Sequence, residues 1–402
     1  MKIGRWARLM LAVTPLLAGC GDFWQNPNGS GGGGGGGGCT TNCPTGSSGS
    51  FYVLNQYVSQ IAAYSVVSGK LTAVTNSPFS LPSEPYAVAI YPGGGYVYVS
   101  TVVGIYMYTV DSTTGALTVG TGGAYPFLAY AMQVDPTGAW LVAAGRSSAE
   151  SNSGEVVALP IDSSTGALGT AQTAAIAAPT VTQMAISADS ANVFIALGVN
   201  GTEVIPFTST ASGTNPFASK AITIPLVSGG ISALSVAVDP ESTPRLFYIG
   251  ETGAKSSSGG LVVYTYASLT GTLTQVTGSP YASGGLAPNA ILTTSTGDYV
   301  YVANGTTGNT TPGNITGFSV TSTGSTYSLT TGSSIATGLE PVSLAEDSTG
   351  TYVFAVDLLG SPDLEAYTFD TTTPGKLDSA FTAATGTDPV QAVAIAAVQS
   401  SN

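Results

Sequence analysis

The sequence predicts an all-β protein folded as a seven-bladed β-propeller with four-stranded blades. A strand–turn–strand unit recurs along the chain, and successive units begin 44 to 55 residues apart. That spacing is typical of propellers, in which each repeat forms one four-stranded blade. The residues that begin the first turn of each unit are Tyr91, Asp135, Ser187, Asp239, Thr294, Asp347 and Ile395. Seven such units predict seven blades.

A second turn, rich in Ser and Thr, follows each of these units. Residues 111–117 (DSTTGAL) and 162–168 (DSSTGAL) are nearly the same peptide, and shorter versions occur at residues 269–273 and 374–377. In such a peptide an Asp or Ser side chain caps the turn, Gly adopts a positive φ, and Leu returns to the core. The motif therefore predicts a second hairpin in each blade.

The repeats also predict how the ring closes. The last unit keeps only one strand, at residues 390–398, while three strands stand at the front of the domain, at residues 51–54, 61–66 and 71–75. We therefore expect one blade to be closed by strands from both termini, which removes two open sheet edges. The competing all-β folds are a β-sandwich and an outer-membrane barrel, and a barrel would show no period near 50 residues.

The first 19 residues have the features of a lipoprotein signal peptide. Basic residues precede an apolar run at residues 9–17, and the run leads into residues 17–20 (LAGC). This string resembles the bacterial lipobox, which implies acylation of Cys20 and cleavage before it. An ordinary secretory signal is the alternative. The resemblance implies attachment to the lipid bilayer of the bacterial cell envelope (the outer membrane in a Gram-negative cell), facing the periplasm or the exterior.

Residues 20–50 form the predicted link between this signal and a propeller at residues 51–402. The segment is dominated by Gly, Ser, Asn and Thr, and it includes the Gly run 31–38. Such a composition buries too little surface to offset its ordering entropy, so we expect a flexible tether. Cys39 and Cys43 lie within it, and a local disulfide and two free thiols both stay open.

Composition excludes several function classes. The chain contains no histidine, which excludes Ser-His-Asp and Cys-His nucleophile systems and histidine-ligated metals. It carries 9 basic against 22 acidic residues, and only six of the basic residues follow the signal segment. A nucleic-acid partner is not expected, because clustered Lys and Arg would be needed to displace counterions from phosphates. We expect a monomer.

Three strand sequences carry a family resemblance that spans about residues 51–398. Residues 96–100 (YVYVS), 299–304 (YVYVAN) and 354–360 (FAVDLLG) resemble the lactonase-like seven-bladed propellers, a family of phosphogluconolactonase-type enzymes and YVTN-repeat surface proteins. The resemblance implies a lactonase activity and a histidine after the proline that opens an inner strand. The corresponding pairs here are Pro85-Tyr86, Pro288-Asn289, Pro341-Val342 and Pro389-Val390. None contains histidine, which puts that catalytic activity in doubt.

Strand alternation predicts which residues surround the central channel. Those expected to line it are Ala87, Ala131, Gln183, Ser235, Ala290, Ser343 and Gln391. Their larger neighbours, expected to pack between blades, are Val88, Met132, Met184, Val236, Ile291, Leu344 and Ala392.

The candidate site is the rim shared by the loops before the inner strands and after the second strands. Its expected ligand-binding residues are Asn55, Glu84, Arg146, Glu251, Asn304 and Asp388, together with Glu340 and Asp357. Asp357 and Glu340 come from one blade and are the strongest candidates for a catalytic acid/base pair. Carboxylate and amide oxygens suit calcium or magnesium; otherwise no cofactor is expected. The alternative is an ordinary solvated rim.

Two function classes follow. The first is a non-catalytic binding or scaffold module at the envelope, with a sugar, lactone, cation or peptide as ligand. The second is a lactonase-like hydrolase that uses rim carboxylates. Because histidine and a basic phosphate pocket are missing, the sequence favours the first.

Overall fold

The computed structural model describes residues 47–146, 153–209, 214–217, 220–240, 245–255, 258–266, 273–306, 310–324, 326–386 and 391–397. Within these ranges every helix or strand element is a β-strand, and none is a helix long and apolar enough to cross a membrane. The strands form seven antiparallel sheets that surround a central axis as the blades of a propeller. The predicted fold class is confirmed.

Six blades are continuous in sequence and the seventh is split between the two ends of the chain. The split blade begins with β1 (Ser47–Asn55), β2 (Gln60–Val67), β3 (Lys70–Ala73) and β4 (Phe79–Ser80). Blade 1 contains β5 (Pro85–Ile90), β6 (Tyr96–Thr101), β7 (Gly104–Val110) and β8 (Leu117–Val119). Blade 2 contains β9 (Leu128–Val134), β10 (Trp140–Arg146), β11 (Gly154–Pro160) and β12 (Gln172–Ile176). Blade 3 contains β13 (Gln183–Ile186), β14 (Asn192–Ala196), β15 (Thr202–Pro206) and β16 (Ile222–Ile224).

The remaining blades follow the same order from the axis outward. Blade 4 contains β17 (Ser232–Val238), β18 (Arg245–Lys255), β19 (Ser258–Tyr266), β20 (Leu273–Gln275) and the short β21 (Tyr281–Ala282). Blade 5 contains β22 (Ala287–Thr293), β23 (Tyr299–Gly305), β24 (Asn314–Thr323) and β25 (Thr326–Ala336). Blade 6 contains β26 (Leu339–Glu346), β27 (Tyr352–Leu359), β28 (Leu364–Phe369) and β29 (Leu377–Ala383). The last strand, β30 (Ala392–Ala397), is the inner strand of the split blade, called blade 7.

Blade 7 closes the ring as the repeats predict. Strand β30 pairs antiparallel with β1, and Val53 lies opposite Ile395. The register corrects one detail, because Ala394 and not Gln391 stands where the other blades place their channel residue. The last unit has one strand and no turn after it, so its sequence carries no marker for the register. The expected channel position, Gln391, therefore lies three residues before the observed one, Ala394.

The hairpin turns form as their residues dictate. The Oδ1 atom of Asp162 accepts a hydrogen bond of 2.8 Å from the Ser164 amide, and Gly166 closes the turn with a φ of +72°. A Cβ atom at Gly166 would lie 2.5 Å from the ring of Tyr96 in blade 1, so only glycine fits there. The Oη atom of Tyr98 donates to the Gly166 carbonyl at 2.9 Å, which links blade 1 to blade 2.

The two faces of the ring carry different connections. The turn face carries the hairpins, such as residues 135–140 and 162–168. The linker face carries the loops between second and third strands, such as residues 56–59, and the linkers that join successive blades. Strand β1 begins and β30 ends at the turn face, because β1 runs antiparallel to the inner strand of its blade.

Side-chain hydrogen bonds join the inner strands of neighbouring blades. The Oε1 atom of Gln183 accepts from the Val236 amide at 2.8 Å, and the Oγ atom of Ser343 accepts from the Ile395 amide at 3.1 Å. These two residues and the small residues expected beside them in whole blades are fully buried. Where the blades converge, the residues expected to line the channel in the whole blades are thus enclosed and are not exposed to solvent.

We predict that ring closure by β30 is essential for stability. Deletion of residues 391–402 removes the inner strand of blade 7 and the buried side chains of Val393 and Ile395, each worth about 1.5–3 kcal/mol, together with the ladder to β1. That loss is comparable to a typical total stability of about 5–15 kcal/mol. Thermal unfolding should show a strongly lowered midpoint or an aggregated product. Deletion of residues 398–402 alone, which spares β30, is the control. A monomer with unchanged melting after the longer deletion would contradict the role of β30.

Candidate functional site

The polar residues that end the second strands are buried beneath the linker face. Asn55, Asn304 and Asp357 are completely inaccessible and Glu251 is 1% exposed. They occupy equivalent register positions in blades 7, 5, 6 and 4, where blade 1 has Thr101. These residues, predicted for the rim, are enclosed within their blades and are not displayed to solvent.

The two asparagines fasten the linkers that enter their own blades. The Nδ2 atom of Asn304 donates to the Ser283 carbonyl at 2.8 Å. Asn55 makes a two-way contact, donating from Nδ2 to the Thr385 carbonyl at 3.0 Å and accepting from its hydroxyl at 2.8 Å. Both partners lie in the linker before an inner strand. An amide suits this position because it satisfies backbone groups that water cannot reach.

Glu251 serves the linker into blade 4 in the same way. Its Oε2 atom accepts a hydrogen bond of 3.1 Å from the Val227 amide. Burial raises the pKa of Glu251 to about 7, although the Val227 amide lowers it in part. The carboxyl is thus close to half protonated at neutral pH.

Asp357 is the most perturbed acid of the set. Burial raises its pKa to about 8, and the neighbouring charge of Glu365 raises it further. The Gly338 amide and the Thr337 hydroxyl lower it in part, but neither carboxylate oxygen has a partner at hydrogen-bonding geometry. The Oη atom of Tyr367 donates to Glu365 nearby. At neutral pH, Asp357 is therefore a buried neutral acid.

Glu340 and Asp357 have different surroundings. The charges that shift the pKa of Asp357 belong to Glu365 and Asp363. Glu340, which stands at a φ of +58°, instead accepts a hydrogen bond of 3.2 Å from the Nδ2 atom of Asn289 in the neighbouring blade. Burial raises the pKa of Glu340, and the bond to Asn289 lowers it. The structure thus keeps the two members of the expected acid/base pair in separate environments.

A β-bulge marks the start of the inner strand in six blades. Each bulge lies between the inner and second strands at the same register position. Such an extra residue redirects its side chain. The residues at the bulge are Tyr86, Tyr130, Leu234, Asn289, Val342 and Val393. Tyr86, Tyr130, Leu234 and Asn289 are partly exposed at the linker-face end of their inner strands, a region that we call the channel mouth. Val342 and Val393 are buried at the same register position, and in blade 7 that position belongs to Val393 and not to Val390.

Four side chains at this mouth, called the mouth cluster, contact one another across blades 1 and 2. The Cζ atom of Arg146 lies 5.5 Å from the ring centroid of Tyr130, which meets the Tyr86 ring edge-on at 5.6 Å. The Oη atom of Tyr86 in turn donates to Glu84 at 3.3 Å. Burial and the Glu84 charge raise the pKa of Tyr86 to about 12, so this hydroxyl is a hydrogen-bond donor and not a base.

The mouth cluster brings together two predicted residues and two that sequence reasoning missed. Glu84 and Arg146 were predicted, whereas Tyr86 was noted only for its position after Pro85. Tyr130 was not considered, although its place in the repeat matches that of Tyr86. The Nε atom of Arg146 is buried and has no hydrogen-bond partner within the described ranges, which omit residues 147–152. Asp388 and Cys20 lie outside the described residues.

The metal expectation finds no support in the described part of the chain. No group of three or more Asp, Glu, His or Cys side chains there could hold a metal ion. The acids near Asp357 are already engaged, since Asp363 accepts from the Thr385 amide at 2.8 Å and Glu365 accepts from Tyr367.

Comparisons with solved structures identify the same architecture in lactonase-type proteins. A candidate 6-phosphogluconolactonase from Bacteroides fragilis matches with a TM-score of 0.65 and 16% identity over 86% of this chain and 96% of its own. The periplasmic gluconolactonase of Pseudomonas aeruginosa matches with a TM-score of 0.63 and 17% identity over 84% and 97%. Hydrazine synthase of Kuenenia stuttgartiensis also matches, with a TM-score of 0.55 and 14% identity over 85% of this chain and 100% of its own. At these identities the likeness shows the fold alone.

No protein-family model matches the chain, and no curated protein sequence matches it. The chain is thus a seven-bladed β-propeller whose structural neighbours include phosphogluconolactonase-type proteins.

We predict that the unfolding free energy decreases as the pH rises from 5 to 8. The folded chain keeps Asp357 protonated up to about pH 8, whereas the unfolded chain releases that proton near the usual pKa of 3.8. The stabilisation from this group is fully present below pH 3.8 and is lost as the pH rises through 8. One such group changes the unfolding free energy by up to about 1.4 kcal/mol per pH unit. Denaturant unfolding across this pH range measures the slope.

Asp357→Asn is the decisive variant for this slope. Asparagine occupies the equivalent position in blades 5 and 7, where it donates to a linker carbonyl, so the fold should tolerate it. The variant should show a shallower slope and exceed the wild type in stability at pH 8. Asp111→Asn is the control, because hydrogen bonds in an exposed hairpin lower the pKa of Asp111 and its titration lies below pH 5. A slope that survives Asp357→Asn unaltered would show that another group causes it.

Proposed function

We propose that this chain is an envelope-anchored propeller that binds a small hydroxylated ligand, of the sugar or sugar-lactone class, without converting it. The binding site is the channel mouth on the linker face. The observation that carries the proposal is the mouth cluster, in which Arg146 stacks on Tyr130 beside Tyr86 and Glu84.

The mouth cluster has the chemistry that a hydroxylated ring needs. Tyrosine rings offer apolar surface with a polar end. The guanidinium of Arg146 is a planar donor, and its buried Nε atom has no partner among the described residues. Glu84 is exposed and can accept from hydroxyl groups. Donors, acceptors and ring surface therefore converge where two blades meet.

The absence of chemical turnover follows from the side chains at the mouth. The described bulge positions carry Tyr, Leu, Asn and Val, and burial holds the pKa of Tyr86 at about 12. Glu340, the candidate base named from the sequence, accepts a hydrogen bond from Asn289, and Glu84 accepts one from Tyr86. A general base must be within hydrogen-bond reach of its substrate and have a suitable pKa. A lactone hydrolase is the second candidate, favoured by the activity named for the Pseudomonas neighbour.

Anchoring through Cys20 is the second part of the proposal. Residues 17–20 (LAGC) support acylation at Cys20, which implies a lipid bilayer partner and an envelope location. The described chain begins in β1 at the turn face. A tether attached there would leave the channel mouth pointing away from the membrane.

We predict that D-glucose binds the purified propeller and that D-glucono-1,5-lactone is not hydrolysed above its spontaneous rate. Arg146→Met keeps the aliphatic packing on Tyr130 and removes the donors, so binding measured by calorimetry should weaken about ten-fold, the loss of about 1.4 kcal/mol of hydrogen bonding. Lys255→Met, which removes an exposed charge elsewhere on the linker face, is the control. Lactone turnover that Glu340→Gln abolishes would establish the hydrolase instead. If neither ligand binds, the mouth is not a site of this class.

We predict that Cys20→Ala releases the protein from the membrane fraction or leaves it unprocessed. Several acyl chains at about 0.8 kcal/mol per buried CH₂ make the wild-type attachment effectively permanent. Fractionation and the apparent mass of the product measure both effects. Cys39→Ala, in the same predicted tether, should change neither. Normal processing and unchanged membrane association of Cys20→Ala would exclude the lipoprotein assignment.

A further inference from the structure

Exposed apolar side chains stand at two loop tips of the linker face, in blades 7 and 1. Tyr57 and Val58 lie at the tip of the loop between β1 and β2 and are 66% and 37% exposed. Val102 and Val103 lie at the tip of the equivalent loop in blade 1 and are 47% and 55% exposed. We call these four residues the apolar flank. Exposed apolar residues that occur together, unlike single ones, can mark a site for a ligand or a partner.

Two hydrogen bonds attach the loops of the apolar flank to the backbone of residues 84 and 85. The Nε2 atom of Gln56, next to Tyr57, donates to the Pro85 carbonyl at 3.1 Å. On the other side, the Val102 amide donates to the Glu84 carbonyl at 3.0 Å. Both loops therefore attach directly to the segment that carries Glu84 and Tyr86.

We propose that the ligand of this site is an amphiphile, in which a hydroxylated head occupies the mouth cluster and a single aliphatic chain lies on the apolar flank. The proposal rests on the proposed function, because it assigns a tail to the ligand whose head binds at the mouth. Two loop tips on either side of Glu84 give the chain a defined exit from the mouth.

A small amphiphile fits this surface better than a protein partner. Stable protein interfaces use about 20–30 residues a side, whereas the apolar flank has four side chains beside a polar mouth. Other exposed apolar residues of the linker face, such as Val199 and Ile231, belong to blades 3 and 4, whereas the mouth cluster belongs to blades 1 and 2. The flank is thus a local feature of blades 7 and 1.

The test compares D-glucose, n-hexyl glucoside and n-octyl glucoside, each below its critical micelle concentration, by calorimetry on the whole propeller. Affinity should rise along the series. The step from hexyl to octyl should be about four-fold if half of each added methylene is covered, since full burial contributes about 0.8 kcal/mol per CH₂. In saturation-transfer NMR, the alkyl protons should receive saturation from the protein.

Substitutions test whether the apolar flank causes the dependence of affinity on chain length. The double variant Val102→Ser with Val103→Ser should remove most of the chain-length dependence and leave the affinity for glucose unchanged. Val119→Ser is the matched control, because Val119 is 57% exposed but lies on the outer strand of the same blade. Val199→Ser, on the linker face of blade 3, is a second control.

The outcomes separate this inference from the proposed function. If glucose binds and the alkyl chain adds nothing, the amphiphile is overturned while the mouth remains a ligand site. If the chain-length dependence survives the double variant, or if Val119→Ser reduces it equally, the apolar flank is not the surface involved. If neither glucose nor the glucosides bind, both proposals fail.

Discussion

The inner strand of each blade has only one partner strand in its own sheet, and its other edge faces the axis. Side chains of the preceding blade satisfy part of that edge, as when Gln133 and Gln183 accept from the amides of Ile186 and Val236. Every blade therefore depends on its neighbour, and the dependence passes around the ring until β30 completes blade 7. A propeller built this way has no independent blade, because each buries one face of its sheet against the next.

The linkers between blades impose a second demand. They run over the linker face with backbone groups that need partners, and buried backbone groups are almost always paired. In several blades one polar residue at the linker-face end of the second strand bonds to the linker backbone, and the type of that residue varies between blades. Asn304 and Asn55 meet it with neutral amides. Glu251 and Asp357 occupy the same position with carboxyls whose pKa burial raises to about 7 and about 8.

The channel mouth differs from these buried positions, because the bulge residues of blades 1 and 2 are partly exposed. Two tyrosines from adjacent blades meet there, and Arg146 and Glu84 flank them. Strands hold the two tyrosines and Arg146, and Glu84 directly precedes β5, which favours recognition by a preorganised surface. The same fold occurs in a gluconolactonase and in hydrazine synthase, so the fold alone does not define a function.

The sequence by itself determined the seven blades, the split closure and the hairpins. These features follow from the local periodicity and from the turn residues, both of which recur in each repeat. It also named Glu84 and Arg146 as linker-face residues. Only the tertiary structure decided that Asp357 and Glu251 are buried, since strand alternation does not show how closely a linker covers a strand end. The bulges that place Tyr86 beside Tyr130 likewise depend on pairing between strands. A residue's exposure is set by chain segments distant in sequence, and a single repeat does not encode it.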